Sequence, residues 1–244
     1  MARPDDLGLG RRFLPDPGDD AFPIRLAAPH QLTARQQAAI DRGWAYWWAD
    51  GAWVYQGRTG TCVPHAWWHW LADGPVTYDG PPLDPIDLYR AMVLLDGFAE
   101  NDAEANGPRD GMQFGTTVRA GAKLLQRRGL IGAYRWGRTI DVLIRTLLTE
   151  GPVVMGTVWT DGMFDWTSEG VIHYDGKRDD QGHAYVANGI NLKQGLIRIK
   201  PWGHKGIGRN GHLYLPLEDA ERLIRDDGEV CLAEEPDRPV QPTS

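Results

Sequence analysis

Apolar residues recur at helical spacing through the first part of the chain. This periodicity predicts helices over residues 31–48, from Cys62 through 66–72, from Asp84 to about Phe98, over 116–129 and over 139–150. Asp84 is a suitable N-cap, with Pro85 in the first turn behind it. The polar, glycine-rich stretch 97–111 is expected to be a loop. The first half of the molecule is therefore predicted to be mainly helical.

The period shortens after Gly151. The run 152–159 and the segments 183–190, 195–200 and 211–215 have the composition of β-strands. A helical half followed by antiparallel strands predicts an α+β protein. We expect one domain over 1–244, with an extended arm (1–23), a mainly helical lobe (24–150), a mainly β lobe (151–233) and a flexible tail (234–244).

Charge and composition exclude some classes of function. The 244 residues carry a formal net charge of −7, which argues against binding to nucleic acid or to a membrane surface. The sequence has no apolar run of about 18 residues and no signal-peptide pattern. A cytoplasmic protein is therefore expected, and one found in the virion if a phage encodes it. Nothing in the sequence indicates the oligomeric state.

Cys62 is the residue with the clearest candidate chemistry. It follows a turn that contains Gly57 and Gly60, and it precedes an aromatic, helical segment. Backbone N–H groups in the first turn of a helix stabilise a thiolate, which makes such a cysteine a good nucleophile. Gln56 lies six residues before it, where its amide can donate to an oxyanion. Because Gln56 precedes a glycine in a turn, its side chain is expected to pack little. The second cysteine, Cys231, has no such setting.

The run from Gln56 to Cys62 resembles the nucleophile turn of the papain-like cysteine peptidases. The segments 182–189, 197–203 and 210–216 are similar to that family's histidine strand, its Asn-Ser-Trp-Gly turn and its closing strand. The resemblance implies a two-lobe fold, with a helical lobe, an antiparallel and barrel-like β lobe, and the active site in the cleft between them. It also implies Cys62 as nucleophile, His183 as base and acid, Gln56 in the oxyanion hole, and Trp202 as a shield for the histidine.

One departure concerns the residue that orients the histidine. The family has an asparagine where this chain reads Lys200-Pro201 before Trp202. A charged lysine cannot accept a hydrogen bond from an imidazole, so a backbone carbonyl, a water or another residue must orient His183. A lysine close to His183 would lower the pKa of the imidazole. Restoring the asparagine with Lys200→Asn is then expected to raise reactivity.

The function predicted from the sequence is hydrolysis of peptide bonds in a peptide or protein substrate, without a metal or cofactor. The glycines of 206–211 spell a dinucleotide motif, but a strand follows them instead of a helix. His65 and His69 are four residues apart and are expected to pack or line the cleft. Two alternatives remain open. One is a degenerate papain-fold structural or binding protein, for example in a phage particle, and the other is an amidase or acyl transferase with the same Cys-His chemistry.

Overall fold

The computed structural model describes residues 7–47, 53–73, 83–97, 105–108, 112–177 and 181–236. The α-helices that lie wholly within these ranges are α1 (Ala34–Arg42), α2 (Cys62–Asp73), α3 (Pro85–Asp96), α4 (Val118–Arg127), α5 (Ile140–Thr149) and α6 (Leu217–Arg225). The strands are β1 (Trp44–Tyr46), β2 (Ala133–Gly137), β3 (Val153–Val158), β4 (Gly182–Asn191), β5 (Leu196–Lys200), β6 (Leu213–Pro216) and β7 (Glu229–Glu234). The molecule is an α+β protein, as the sequence predicts.

All the strands belong to one sheet, and the pairs are antiparallel. The order is β2-β7-β3-β4-β5-β6, and β1 pairs with the end of β4 on the edge opposite β5. Because β1 and β2 come from the segment 24–150, which the sequence predicts to be mainly helical, strands from both predicted lobes build this sheet. The long β4 is central, and it carries His183 near its start.

Helices cover both faces of the sheet, and alternate side chains of each strand point to opposite faces. Val154, Ala184 and Val186 pack with α2, α3 and α4. Met155 and Tyr185 pack on the other face with α5 and α6. This burial of both faces of the sheet makes both alternating sets of side chains apolar, so each strand is a continuous apolar run in the sequence. It also fixes α2, and with it Cys62, against β4.

The predicted helices over 84–98, 116–129 and 139–150 correspond to α3, α4 and α5. Asp84 caps α3 through Ile86 N–H (2.8 Å), and Thr139 caps α5 through Val142 N–H (3.3 Å). The described residues do not include 98–104 and 109–111, and therefore omit Phe98 and most of the predicted loop.

The helix predicted over 31–48 is wrong in its second half. Helix α1 ends at Arg42, and Gly43 follows it in the left-handed conformation (φ 74°). A glycine there terminates a helix without steric cost. The next residues form β1, which pairs Trp44 with Asn191 of β4. Trp48 lies outside the described residues.

Strands β2 and β7 and helix α6 have no counterpart in the sequence-based prediction. Strand β2 pairs with β7, and β7 pairs in turn with β3. Both are short, and their local composition is mixed, so long-range pairing stabilises them more than intrinsic propensity does. Within the described residues, no helix has the length and apolarity needed to cross a membrane.

Candidate active site

Cys62 is the first residue of α2, and its side chain is fully buried. The backbone N–H groups of Ala184, Val63 and Cys62 itself hydrogen-bond the thiol. Ala184 directly follows His183 on β4. The structure therefore places Cys62 against the strand that carries the candidate base.

Burial dominates the protonation of Cys62 in this conformation. Removal of the thiol from water raises its pKa to about 12, although the three N–H groups and the charge of Arg11 act in the opposite direction. The helix start contributes as the sequence predicts, but it is outweighed by desolvation. In this conformation the pKa of Cys62 is raised, contrary to the low pKa expected from the sequence.

His183 is oriented by a backbone carbonyl. Its Nε2 lies 2.9 Å from the carbonyl oxygen of Pro201. Because a carbonyl oxygen only accepts, Nε2 must carry the proton of the neutral ring. Nδ1 is then the unprotonated nitrogen, and it is buried without a hydrogen-bond partner among the described residues. Pro201 O thus fixes the tautomer that leaves Nδ1 able to take a proton.

Aromatic rings enclose His183. The ring of Trp202 stacks on the imidazole (centroids 4.6 Å apart, 24° between planes), and Trp159 meets it edge-on at 5.0 Å. Burial among these rings lowers the pKa of His183 to about 3, opposed by the Pro201 carbonyl. These pKa values make both Cys62 and His183 neutral in this conformation.

Lys200 does not act on His183, contrary to the expectation from the sequence. Its ammonium forms a buried ion pair with Asp73 and lies 4.5 Å from the ring centroid of Trp53. Its charge lowers the pKa of His69 and of His212, and it is not among the causes that shift His183. The premise that the Lys200 charge acts on His183 is therefore wrong, and Lys200→Asn would leave Asp73 buried without its cation.

Gln56 is buried, with 1% of its surface exposed, which corrects the expectation that it packs little. Its Nε2 donates to the carbonyl oxygens of Gly8 (2.9 Å) and Thr59 (2.6 Å). Trp202 Nε1 donates to the same Gly8 oxygen (2.8 Å). Gly8 O therefore joins the amide of Gln56 to the ring that covers His183.

Gly8 belongs to an N-terminal segment, residues 7–12, that lies across the site; we call it the strap. Gly8 N–H donates to Gly57 O (2.9 Å), and the N–H groups of Gly10 and Arg11 donate to Gly182 O (3.0 and 2.9 Å). The strap thus bridges the turn before Cys62 and the residue before His183. The side chains of Cys62 and His183 are both fully buried in this conformation.

The approach of the strap requires glycine. A Cβ on Gly8 would overlap the carbonyl oxygen of Thr59, and a Cβ on Gly10 would overlap that of Gly60. The sequence of residues 1–23 predicts only an extended arm and not this role. The available signal was the alternation of glycine at positions 8 and 10 just before two arginines.

The remaining candidate residues have packing roles. His65 Nδ1 lies 2.7 Å from Thr61 O, and His69 Nε2 accepts the Val54 N–H (3.2 Å). His212 packs edge-on against Trp53. Both cysteines are free, and Cys231 is buried in the sheet between β2 and β3.

Neither a scan against protein-family models nor a search of curated proteins finds a match to this sequence. Solved structures do match. Xylellain, a cysteine protease from Xylella fastidiosa, superposes with a TM-score of 0.66 at 15% identity, over 96% of this chain and 99% of its own.

Two further matches are allergens. A structure from work on the mite allergens Blo t 1 and Der p 1 has a TM-score of 0.53 at 15% identity, covering 75% of this chain and 67% of that one. The ragweed pollen allergen Amb a 11, a cysteine protease in its proform, has a TM-score of 0.53 at 14% identity, covering 77% and 64%. The chain therefore has the fold of the papain-like cysteine proteases.

Proposed function

We propose that the protein is a cysteine peptidase, with Cys62 as nucleophile and His183 as general base and acid. The observation that carries this proposal is the hydrogen bond from His183 Nε2 to Pro201 O. This bond leaves Nδ1 of His183 unprotonated. The next residue of the same strand, Ala184, contacts the Cys62 thiol through its backbone N–H. A nucleophile, a base and a group that orients the base are the parts that such catalysis requires.

The reaction follows from these atoms. His183 Nδ1 takes the thiol proton as the sulfur attacks the carbonyl carbon of a peptide bond. The oxyanion accepts hydrogen bonds from the backbone N–H of Cys62 and from Gln56 Nε2. His183 then gives its proton to the leaving amine. Water, activated by the same histidine, hydrolyses the thioester and regenerates the thiol.

The strap has to leave before this chemistry can begin. Its Gly8 carbonyl uses the Gln56 N–H that the oxyanion would need. Its departure would also admit water to Cys62 and His183, and hydration removes the desolvation that keeps both groups neutral. We propose that the structure is the closed form of an enzyme whose substrate is a peptide or protein. We also propose that this enzyme acts in the cytoplasm.

A full-length variant opened by Gly8→Ala and Gly10→Ala tests the proposal; we call it the opened variant. The added methyl groups cannot fit beside Thr59 O and Gly60 O, so the strap is expelled. Gly162→Ala is the matched control, since its Cβ would lie at an ordinary 3.4 Å from Asp175 Oδ2.

The opened variant is expected to cleave a mixture of denatured proteins or peptides, and Cys62→Ala in the same background is expected to abolish cleavage. Transfer to added amines without hydrolysis would indicate an acyl transferase instead. A folded opened variant without any Cys62-dependent reaction would favour the structural or binding role.

A further inference from the structure

The strap places one charged side chain deep inside the molecule. Arg11 is 6% exposed, and its guanidinium pairs with the buried carboxylate of Glu229 at the start of β7. Arg11 Nε donates to Glu229 Oε2 (2.9 Å), and an Nη of Arg11 donates to the carbonyl oxygen of Asp227 (2.6 Å). The backbone of the same residue bonds to Gly182, next to His183. The pocket that holds Arg11 therefore opens directly beside the candidate active site.

Two glycines form the walls of this pocket. A Cβ on Gly182 would lie 2.9 Å from Arg11 Cδ, and a Cβ on Gly156 would lie 3.0 Å from Arg11 Nε and from Glu229 Oε2. Gly156 and Gly182 lie on neighbouring strands, β3 and β4. The missing side chains leave a slot as wide as an extended arginine, with a carboxylate at its end.

The charges at the end of the slot balance only while Arg11 is present. Arg119 forms one buried ion pair with Asp19, while the exposed Arg138 pairs with Asp20. Arg11 and Glu229 form the second buried pair. Removal of Arg11 therefore leaves one excess negative charge in a buried site. Glu229 also borders a cavity of about 330 Å³, which is lined by Arg119, Arg138 and, from the arm, Phe13, Pro15, Asp16, Pro17, Asp19 and Asp20.

We propose that this slot is a specificity pocket for an arginine side chain of the substrate, and that Arg11 occupies it in the closed form. The inference rests on the proposed peptidase function. Once the strap leaves, a peptide that crosses the same site presents its side chains to Gly156, Gly182 and Glu229. An arginine there would restore the ion pair that Arg11 makes now, whereas an apolar side chain would leave Glu229 buried without a partner.

The geometry favours arginine over lysine. The guanidinium of Arg11 contacts two acceptors at once, the Glu229 carboxylate and the Asp227 carbonyl. A planar group with several fixed donors suits such a pair of acceptors, while an ammonium acts as a single point charge. Selectivity between the two cations is thus part of the proposal.

Binding to the slot can be measured without catalysis. In full-length Arg11→Ala the slot is empty, and ethylguanidinium at low millimolar concentration is expected to raise the thermal unfolding midpoint. Ethylammonium is the matched cation and is expected to have a much smaller effect. The wild-type protein and the Arg11→Ala/Glu229→Gln variant are expected to show no selective shift. Equal shifts with both cations, or an unchanged selective shift in the Glu229→Gln background, would overturn the proposal.

Specificity is measured in the opened variant, which keeps both glycine walls and Glu229. Peptides that carry Arg, Lys or Leu at each position near the scissile bond are compared by kcat/KM. At one position, Arg is expected to be preferred over Leu by about tenfold or more, and Glu229→Gln is expected to remove that preference. Cleavage with no such preference would overturn the pocket and leave the peptidase proposal standing. Selective guanidinium binding in a chain without Cys62-dependent cleavage would overturn the peptidase proposal and leave the binding slot standing.

Discussion

At the residue scale, burial opposes the ionisation of both Cys62 and His183. Burial raises the pKa of Cys62 to about 12 and lowers that of His183 to about 3. These directions oppose a thiolate–imidazolium pair, since each ion would have to form out of water. Cys62 of the wild-type protein is therefore expected to react slowly with electrophiles, and opening of the strap is expected to increase this reactivity.

Alkylation of the two cysteines tests this point. In the wild-type protein, iodoacetamide is expected to label Cys62 slowly. In the opened variant, labelling of Cys62 is expected to be faster by about tenfold or more, because a lower thiol pKa means more thiolate. Cys231, buried in the sheet with its pKa well above the usual value, is the internal control. Mass spectrometry of the labelled peptides gives both rates. Equal acceleration at both thiols would indicate general unfolding.

Gln56 is expected to have two effects that separate cleanly. In the opened variant, Gln56→Ala should lower the acylation rate by about 10² to 10³, the usual effect of one oxyanion donor. In the wild-type background, the same change removes a hydrogen bond to Gly8 O, so alkylation of Cys62 should become faster. Gln126→Ala, which removes an amide bonded to Gly132 O on the surface, is the control. An unchanged acylation rate per folded molecule would show that Gln56 only packs.

At the scale of elements, Arg11 anchors the strap to β7 through a buried charge. Glu229 has a pKa above its usual 4.5, because burial outweighs the attraction of Arg11 and Arg119 and the repulsion of Asp19 adds to it. A carboxyl group with a raised pKa in the folded state contributes most to the stability of the fold at low pH, where it is protonated. Its contribution to stability is lost as the pH rises through the folded pKa.

The stability cost of Arg11→Ala should therefore depend on pH. Near neutrality, loss of one partner of a buried pair costs about 3–5 kcal/mol, and the pKa of Glu229 rises further. As the pH falls towards 4.5, Glu229 takes up a proton and the cost should shrink. Urea unfolding at a series of pH values measures this. The double variant Arg11→Ala/Glu229→Gln should show no such slope, and a slope that persists there would assign the effect to another group.

Lys200 and Asp73 join β5 to the end of α2. Burial works against both charges, and each is stabilised by the other. Asn188 also donates to Asp73. Lys200→Met is expected to destabilise the fold by about 3–5 kcal/mol, since it leaves a buried carboxylate. Adding Asp73→Asn should recover most of this, because the amide keeps its bond to Asn188. Urea midpoints that are equal for the single and double variants would contradict this account.

The sequence predicts elements well where local signals are strong. Asp84 and Thr139 mark helix starts, and the apolar runs around 153–158 and 183–190 are strands in the structure. It predicts the Cys62 turn and the histidine strand from their motifs. It does not predict the orienting group, because the Pro201 carbonyl is a backbone atom that every residue possesses. Strand β7 pairs with β2 across 93 to 101 positions, and Arg11 bonds to Glu229 across 218. No local pattern encodes contacts at these separations.

At the scale of the whole molecule, one antiparallel sheet holds the site together. Helix α2 brings Cys62 to one face of β4, while Trp159 and Trp202 enclose His183. The strap crosses between the two motifs and bonds to the backbone of both. Fold alone does not establish activity, so the central claim concerns the chemistry of Cys62 and His183 after opening.

That claim is tested most directly by covalent labelling with an epoxysuccinyl peptide, a reagent that reacts with an activated cysteine. Mass spectrometry should find one adduct per chain at Cys62 in the opened variant, little in the wild-type protein and the Gly162→Ala control, and none after His183→Ala is added. An opened variant that is folded by circular dichroism yet unlabelled, or labelled equally without His183, would contradict the account.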